Sequence, residues 1–210
     1  MHVLTYFSLQ TLPEFRGCQN QLAVVERAAM QGAERFFKTL MQTNFNVIGH
    51  VFNNSSMEDI KGLLADHIPR DLQSDPFYAR WLADMAAICD VFCDLAGDRS
   101  ISFCLSTKRG CHRYHKDNVP MRLLVTYAGQ GTEWLPDSAA DGLAYASGMS
   151  NEAILKDPSA RQFMKPWDIA VFRGGPKGLL HRTPDVALNG PSILMRLDHE
   201  GFLRAVLREK

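Results

Sequence analysis

The stretch His115-Lys-Asp-Asn-Val-Pro-Met-Arg-Leu-Leu-Val-Thr-Tyr127 decides the fold class of this 210-residue chain. Its first part places His115 and Asp117 two residues apart, a spacing at which strand side chains point to the same face. Its second part, Met121–Tyr127, is an apolar and β-branched run that predicts a strand. His181 follows Asp117 after a gap of 63 residues, and two imidazoles with one carboxylate form the facial triad that binds Fe(II). The sequence therefore predicts an antiparallel β-barrel with a metal at its mouth.

The rest of the second half continues as short strands separated by glycine and proline. Ile101, Phe103 and Leu105 alternate with polar residues, as in a half-buried strand. Further strands are predicted at Thr132–Leu135, Asp168–Phe172, Gly178–Arg182, Ser192–Leu197 and Phe202–Val206. This pattern is typical of a jelly roll or barrel rather than of alternating β-α units. The irregular segment 137–166 is predicted as an insertion with one short helix from Asn151.

Residues 1–98 are predicted as a mostly helical region that packs on the barrel. The strongest helix begins near Asp75, because apolar residues recur every three or four positions for about five turns. Its stripe consists of Phe77, Trp81, Met85, Ile88, Phe92 and Leu95. An amphipathic helix is also predicted within Ala29–Met41, and Ser55 with Glu58 forms a capping-box pattern before a third helix. The predicted class is α+β, with residues 99–210 as the metal-binding core.

Composition restricts the class of protein and its partners. Lys plus Arg and Asp plus Glu are both 23, so no overall charge favours nucleic acid or anionic lipid. No apolar run approaches the roughly 20 residues of a membrane-spanning helix, and no secretory signal pattern is visible. Five cysteines, an odd number, fit a reducing compartment better than a disulfide framework. We expect a cytoplasmic protein without nucleic-acid or membrane partners, which acts on a small molecule or a protein side chain.

The predicted metal ligands and their flanks resemble a known class of enzymes. The stretch His115–Trp134, together with Asp168–Phe172, His181–Val186 and Arg196, resembles the metal-binding core of the Fe(II)/2-oxoglutarate oxygenases, above all the prolyl-hydroxylase-type branch. The run Arg-Leu-Leu-x-Thr-Tyr-x-Gly-x-Gly-Thr-Glu-Trp is also similar to the hallmark of an uncharacterised bacterial family. That family is a domain of unknown function often encoded near zinc-homeostasis genes. The resemblance to the oxygenases covers roughly residues 100–207 and implies an antiparallel double-stranded β-helix.

The resemblance implies a role for each matching residue. His115, Asp117 and His181 would hold Fe(II), and 2-oxoglutarate and O2 would use the positions that these ligands leave open. Arg196 would pair with the far carboxylate of 2-oxoglutarate, because its planar guanidinium makes two parallel hydrogen bonds to such a group. Asp198 departs from the family, which often has a small hydroxyl residue there. A carboxylate would repel the co-substrate unless it is turned away or paired.

Three residues of the strand after the triad pair are predicted to add contacts with the co-substrate: Arg122, Thr126 and Tyr127. Side chains of a strand alternate between its two faces. Arg122 and Thr126 therefore share one face and Tyr127 takes the other, so only one of these sets can line the pocket.

Two other functions stay open at this point. The first is a non-catalytic zinc-binding protein of the same fold that serves in zinc homeostasis. It would use four residues that are close in sequence and could form a thiolate–imidazole site: Cys104, Cys111, His112 and His115. The second is a cupin-like metalloenzyme without a keto-acid co-substrate, in which Arg196 forms a structural ion pair with Asp198 or Glu133.

Overall fold

The computed structural model describes residues 3–203, which form two β-sheets and a set of helices. The strands are β1 (Val3–Tyr6), β2 (Leu22–Val25), β3 (Asn46–Phe52), β4 (Ser100–Ser106), β5 (Met121–Ala128), β6 (Glu133–Leu135), β7 (Gln162–Phe163), β8 (Ile169–Arg173), β9 (Leu180–Arg182) and β10 (Ile193–His199). The α-helices are α1 (Ala33–Leu40), α2 (Ser56–Leu64), α3 (Arg70–Gln73), α4 (Pro76–Ala96), α5 (Gly142–Ala146), α6 (Asn151–Ile154) and α7 (Asp185–Asn189). Short 3-10 helices lie at Leu9–Gly17, Asp137–Ala139 and Pro158–Ala160.

The second half of the chain alternates between the two sheets. The larger sheet has the order β1-β2-β8-β5-β10-β4-β3, and the smaller one has the order β7-β6-β9. From β5 onward the chain runs from the larger sheet to β6 and β7 in the smaller sheet, back to β8, across to β9 and back to β10. Every strand pair in this part is antiparallel. This connectivity is that of a jelly roll, or double-stranded β-helix, and it confirms the predicted α+β fold class.

The first half contains the predicted helices but also contributes three strands to the larger sheet. β1 and β2 form one edge, where they pair in parallel, and β3 forms the other edge beside β4. β2 is buried along its whole length, so its sequence Leu-Ala-Val-Val shows no alternation that would indicate a strand. Residues 1–98 are thus both a helical layer and part of the sheet. The division of the chain at residue 98 stays a prediction.

Helix α4 is the principal support of the larger sheet. It begins after Asp75, whose carboxylate accepts a hydrogen bond from the backbone N–H of Phe77 at 2.8 Å, and it ends at Gly97, which has a φ of 75°. The predicted apolar stripe is fully buried. Trp81 packs edge-on against Tyr127 of β5, with the ring centroids 5.7 Å apart. The helix therefore covers one face of the sheet and leaves the other face to the smaller sheet.

Cys89 and Cys93 on α4 are buried in this core. Burial, with smaller contributions from nearby carboxylates, raises the pKa of the Cys93 thiol to about 12. The capping box predicted at Ser55 and Glu58 is not formed. The hydroxyl of Ser55 instead donates to the carboxylate of Asp59, which also accepts the backbone N–H of Phe52.

Two further predicted elements, the last strand and the short helix from Asn151, can be compared with the structure. The strand predicted at Phe202–Val206 is wrong for its first two residues, because 201–203 form a helical turn; residues 204–206 lie outside the described part. The short helix predicted from Asn151 is confirmed as α6. None of the helices within residues 3–203 combines the length and apolar character needed to cross a membrane.

Candidate metal centre

The structure brings His115 and His181 side by side through their backbones. Each residue donates its N–H to the carbonyl oxygen of the other at 3.0 Å, which forms an isolated antiparallel bridge. His181 lies in β9 of the smaller sheet, whereas His115 belongs to the segment that leads into β5 of the larger sheet. The imidazole centroids are 4.5 Å apart, and the ring of Phe172 flanks His181 at the same distance.

Asp117 completes the group. One ligand atom from each of the three residues lies within 4.8 Å of the others, and within residues 3–203 no other group of His, Cys, Asp and Glu meets this criterion. Nε2 of His181 is 3.3 Å from Oδ2 of Asp117, and Nε2 of His115 is 3.8 Å from Oδ1. The three residues predicted from the sequence therefore converge on one point at the junction of the two sheets.

Both imidazoles are oriented by backbone carbonyls. Nδ1 of His115 lies 3.0 Å from the carbonyl oxygen of Arg113, and Nδ1 of His181 lies 3.0 Å from that of Leu179. Because a carbonyl can only accept, each Nδ1 carries the proton and each Nε2 presents its lone pair to the centre. Burial, followed by the neighbouring His181, lowers the pKa of His115. The neutral form, which is the form that binds metals, is favoured.

Asp117 supplies an oxygen that no protein group satisfies. Its side chain is only 1% exposed, Oδ1 contacts the guanidinium of Arg122, and Oδ2 is buried without a hydrogen-bond partner. Burial alone would raise the pKa of this carboxyl, but its contacts with His181 and Arg122 hold the pKa below its usual value. A buried, ionised and unsatisfied oxygen beside two imidazole lone pairs fits a divalent cation, for which this donor set is suitable.

A glycine turn holds the backbone around Asp117. Gly175 donates its N–H to the carbonyl of Asp117 at 2.7 Å, and Gly174 donates to Pro120 at 3.0 Å. A Cβ added at Gly174 would overlap the carbonyl oxygens of Val119 and Asp117. The turn between β8 and β9, formed by Gly174-Gly175-Pro176, therefore positions the carboxylate ligand.

A buried polar network lies behind the two histidines. Glu133 of β6 is 1% exposed, accepts the hydroxyl of Tyr114 and pairs with Arg182, whose Nε lies 3.1 Å away. Tyr114 precedes His115 and Arg182 follows His181, so the network links the backbones of both ligands. Glu133 itself is not bonded to either imidazole, and it does not pair with Arg196.

The metal-ligand group opens into a cavity of about 500 Å³ whose wall includes Arg122 and Arg196. Arg122 donates from Nε to Asp198 at 2.7 Å. Nε of Arg196 is 3.0 Å from the other oxygen of Asp198, although the angle is not that of a hydrogen bond. Burial raises the pKa of Asp198 against the attraction of Arg122 and Arg196. Asp198 is thus buried behind the cavity wall beside two of its arginines, which is the condition under which it would tolerate a bound carboxylate.

The four predicted co-substrate contacts have different outcomes. Arg122 and Arg196 line the cavity, and their role toward a co-substrate stays a prediction. Thr126 is on the same face as Arg122 but is buried and is not part of the cavity wall. Tyr127 faces the helices, where its hydroxyl donates to Asp84 at 2.8 Å. The inclusion of Tyr127 is therefore wrong, because strand alternation turns it away from the metal centre.

The alternative zinc ligands do not come together within the described part of the chain. The thiol of Cys104 lies 3.6 Å from the side-chain oxygen of Asn46, and Cys111 is exposed with a φ of 58°. No group that includes either cysteine meets the distance criterion within residues 3–203. The thiolate–imidazole site considered from the sequence is not assembled.

Arg109 also lines the cavity and was not identified from the sequence. It belongs to the segment between β4 and His115, and it donates to the carbonyl of Gln130 and to the hydroxyl of Thr132. The sequence shows a basic residue there among many others. Only the fold reveals that this guanidinium is turned into the cavity.

The chain has one family match and several distant structural neighbours among known proteins. No curated protein sequence is significantly similar to the chain. Solved structures with similar folds include AviO1 from Streptomyces viridochromogenes Tue57 (13% identity, 93% of this chain and 96% of that chain, TM-score 0.41). Others are the Fe(II)/α-ketoglutarate-dependent dioxygenase TqaL (10%, 92% and 88%, 0.44) and a prolyl hydroxylase from Trichoplax adhaerens in complex with a hypoxia inducible factor peptide (9%, 94% and 93%, 0.45).

These TM-scores are below 0.5, so the fold assignment rests on the strand connectivity and not on the neighbours. The sequence profile of DUF1826, described as a protein of unknown function, matches residues 8–198. This match spans most of the chain and includes the metal-ligand group, and it confirms the predicted resemblance to an uncharacterised family. The chain belongs to the DUF1826 family.

Proposed function

We propose that this protein is a non-haem Fe(II)- and 2-oxoglutarate-dependent oxygenase. The proposal is carried by one observation: His115, His181 and Asp117 present two imidazole lone pairs and an unsatisfied buried carboxylate oxygen to a single point. Three protein ligands of this kind leave positions open for a bidentate keto acid and for oxygen. The substrate is an unidentified small molecule or protein side chain that enters the cavity.

The protein groups around the site have separate tasks. His115, His181 and Asp117 would hold the metal, which when bound supplies the activation of O2. Arg122 binds Oδ1 of Asp117 and thereby leaves Oδ2 directed to the centre. Nε of Arg196 lies near Asp198, but its terminal nitrogens form no hydrogen bond with residues 3–203 and can form a fork toward a carboxylate.

The charges near the centre also suit a dianionic co-substrate. Asp117 and Asp198 carry two negative charges, and Arg122 and Arg196 carry two positive charges. These charges balance, so a divalent cation would leave a net charge of about +2 in a confined cavity. A buried positive field of this kind favours binding of a dianion such as 2-oxoglutarate.

The test is the formation of the ternary complex with metal and keto acid. Protein loaded with Fe(II) without oxygen should develop a visible metal-to-ligand charge-transfer band when 2-oxoglutarate is added. His181→Ala should abolish the band through loss of metal, and Arg196→Ala should weaken 2-oxoglutarate binding while metal binding is retained. His112→Ala and Arg99→Ala change exposed residues of the same types and should leave both properties unchanged. If the wild-type protein binds Fe(II) but shows no band at saturating 2-oxoglutarate, the co-substrate assignment is wrong.

The proximity of Arg196 to Asp198 favours one second candidate, a metalloenzyme that uses the same triad without a keto acid. In that case Arg196 acts only as an ion-pair partner, and Arg196→Ala changes the free energy of unfolding but not any ligand affinity. The same donor set also accommodates Zn(II). Metal analysis of protein purified from zinc-limited and zinc-replete cells would separate an iron enzyme from a zinc-binding protein.

A further inference from the structure

Arg109 has an environment that differs from those of the other arginines at the cavity. Its two terminal nitrogens donate to neutral acceptors, the carbonyl of Gln130 at 3.1 Å and the hydroxyl of Thr132 at 3.4 Å. Its Nε is buried without a hydrogen-bond partner. A guanidinium has five N–H donors, so these bonds use only part of its capacity. The N–H groups of the two terminal nitrogens that these bonds leave unused are available to a group that enters the cavity.

No carboxylate within residues 3–203 neutralises this half-buried charge. Within residues 3–203, Arg109 forms no salt bridge, whereas the acidic residues around the cavity already have arginine partners. Asp198 pairs with Arg122 and lies near Arg196, and Glu133 pairs with Arg182. Burial lowers the pKa of Arg109 to about 10, with a small opposing effect of Cys111, so the side chain is still charged at neutral pH. A partly desolvated cation without a counter-ion is stabilised by a ligand that supplies the anion.

The wall of the cavity also carries an excess of positive charge. Its wall contains five cationic side chains, namely Lys108, Arg109, Arg122, Arg182 and Arg196, and among the described residues that line it none is Asp or Glu. Arg122, Arg182 and Arg196 have carboxylate neighbours behind the wall, whereas Lys108 and Arg109 form no salt bridge within residues 3–203 and supply the excess positive charge. This bias is local, because the chain as a whole has no net charge. A positive, partly enclosed surface concentrates anions and steers them inward.

Arg109 and Arg196 occupy different levels of the cavity. In the register of β10 with β4, Arg196 lies opposite Cys104 and Leu194 lies opposite Ser106. Arg109 follows β4 and contacts Gln130 and Thr132, which lie just after the end of β5. Because Ala128 at that end lies opposite Ile193, Arg109 is at the end of the sheet away from Asp198. One small co-substrate bound at the metal and Arg196 leaves Arg109 without an anion.

We propose that Arg109 binds an anionic group of the substrate, a carboxylate or a phosphate, at the end of the cavity opposite the Arg122–Asp198 pair. The inference rests on the proposed function, since it assigns the substrate class of the same site. It predicts a substrate that carries a negative charge on one part and presents another part to the metal.

The test is a second anion site in the complex that already holds the co-substrate. Protein loaded with Fe(II) and saturated with 2-oxoglutarate without oxygen is titrated calorimetrically with inorganic phosphate in one series and acetate in another. The wild-type protein should bind at least one of these probes at one site, and the comparison of the series identifies the preferred anion. Arg109→Gln should weaken that binding about tenfold or more, as expected for a lost charge-assisted hydrogen bond.

Controls separate this role from a structural one. Arg99→Gln changes an exposed arginine and should bind the probes as the wild type does. Arg109→Lys retains the charge and should retain part of the affinity, even if Arg109→Gln folds poorly. The charge-transfer band of the 2-oxoglutarate complex should persist in both Arg109 variants.

Three results would overturn the inference. They are the absence of probe binding to the wild type, equal binding by wild type and Arg109→Gln, and loss of the charge-transfer band in Arg109→Lys, which would make Arg109 a co-substrate residue. Absence of the band in the wild type is a different failure, that of the proposed function. The same titrations on metal-loaded protein without 2-oxoglutarate would then still decide whether Arg109 binds an anion.

Discussion

The two faces of strand β10 meet opposite requirements. On the helix side, Met195 and Leu197 are fully buried in the large apolar core beneath α4. On the cavity side, the residues that alternate with them are charged: Arg196 and Asp198, with Arg122 of β5 beside them. The first face is held by packing of complementary apolar shapes. The cavity face is held by ion pairs, in which each charged side chain is stabilised by its oppositely charged neighbours.

The difference teaches how one sheet can be both rigid and reactive. Burial of apolar side chains on the helix side supplies the stability, and it fixes the backbone from which alternate residues project into the cavity. The cavity side can then keep buried charges and unsatisfied atoms, such as Oδ2 of Asp117, that would destabilise a protein with a weaker core. We expect substitutions on the helix side to change mainly the free energy of unfolding and substitutions on the cavity side to change mainly ligand affinity.

The sharpest comparison uses neighbours on β10. Met195→Ala should lower the free energy of unfolding by about 2–5 kcal/mol, because it leaves a cavity in a close-packed core. Arg196→Ala should lower it by only about 1 kcal/mol, since Arg196 is partly exposed and Asp198 keeps Arg122. Urea denaturation measures both values. Equal losses in the two variants would mean that the faces are not energetically distinct.

The next effect concerns the network behind the histidines. Glu133→Gln removes the charge that Arg182 and the hydroxyl of Tyr114 share, and it should cost about 1–3 kcal/mol of stability. Metal affinity should also fall, because the network fixes the backbones next to His115 and His181. Glu26→Gln is the matched control, since Glu26 is exposed and its salt-bridge partner within residues 3–203 is the exposed Lys165. Unchanged metal affinity in a folded Glu133→Gln protein would show that the network does not position the metal ligands.

Two glycines differ in what a side chain at their position would contact, and Gly174 is the crowded one. Gly174→Ala should lower the free energy of unfolding by about 1–3 kcal/mol. The added methyl group would overlap the carbonyl oxygens of Val119 and Asp117, which are part of the turn around the carboxylate ligand. Its metal affinity, measured by competition with a chelator, should decrease with the stability. If the variant is destabilised but binds metal as tightly as the wild type, the turn does not position the carboxylate.

The smallest expected effect has the opposite sign. Gly62 lies in α2, and an added Cβ would meet no atom within 4 Å. Gly62→Ala should therefore raise the free energy of unfolding by roughly 0.5–1 kcal/mol, because alanine loses less backbone entropy in a helix. The metal affinity should not change. A loss of stability would show that α2 is not a regular helix at this position.

The sequence predicts the strands of the second half well because alternation and turn residues act locally. Met121–Tyr127 and Asp168–Phe172 carry both signals, and both are strands in the structure. β2 and β3 were not predicted, because their status depends on partners far along the chain: β3 pairs with β4, which lies beyond three helices. Local pattern cannot report such pairing.

The same distinction applies to the site. The three metal-ligand residues follow from residue type, strand spacing and family resemblance, and the structure brings them together. Whether a side chain has a partner is a property of the folded molecule, and for this reason Arg109 was missed. Alternation allowed either face of β5 to line the cavity, and the packing of Tyr127 under α4 shows which face does so.

The backbone bridge between His115 and His181 has a thermodynamic consequence. It joins the smaller sheet to the segment that enters the larger sheet, and a cation ligated by both side chains would cross-link the same two segments a second time. Such a cation binds the folded chain and not the unfolded chain. At a concentration one hundred times its dissociation constant it would add about 2.7 kcal/mol to the free energy of unfolding. The melting temperature of this protein should therefore depend on the concentration of free metal, which couples the closure of the two sheets to metal supply.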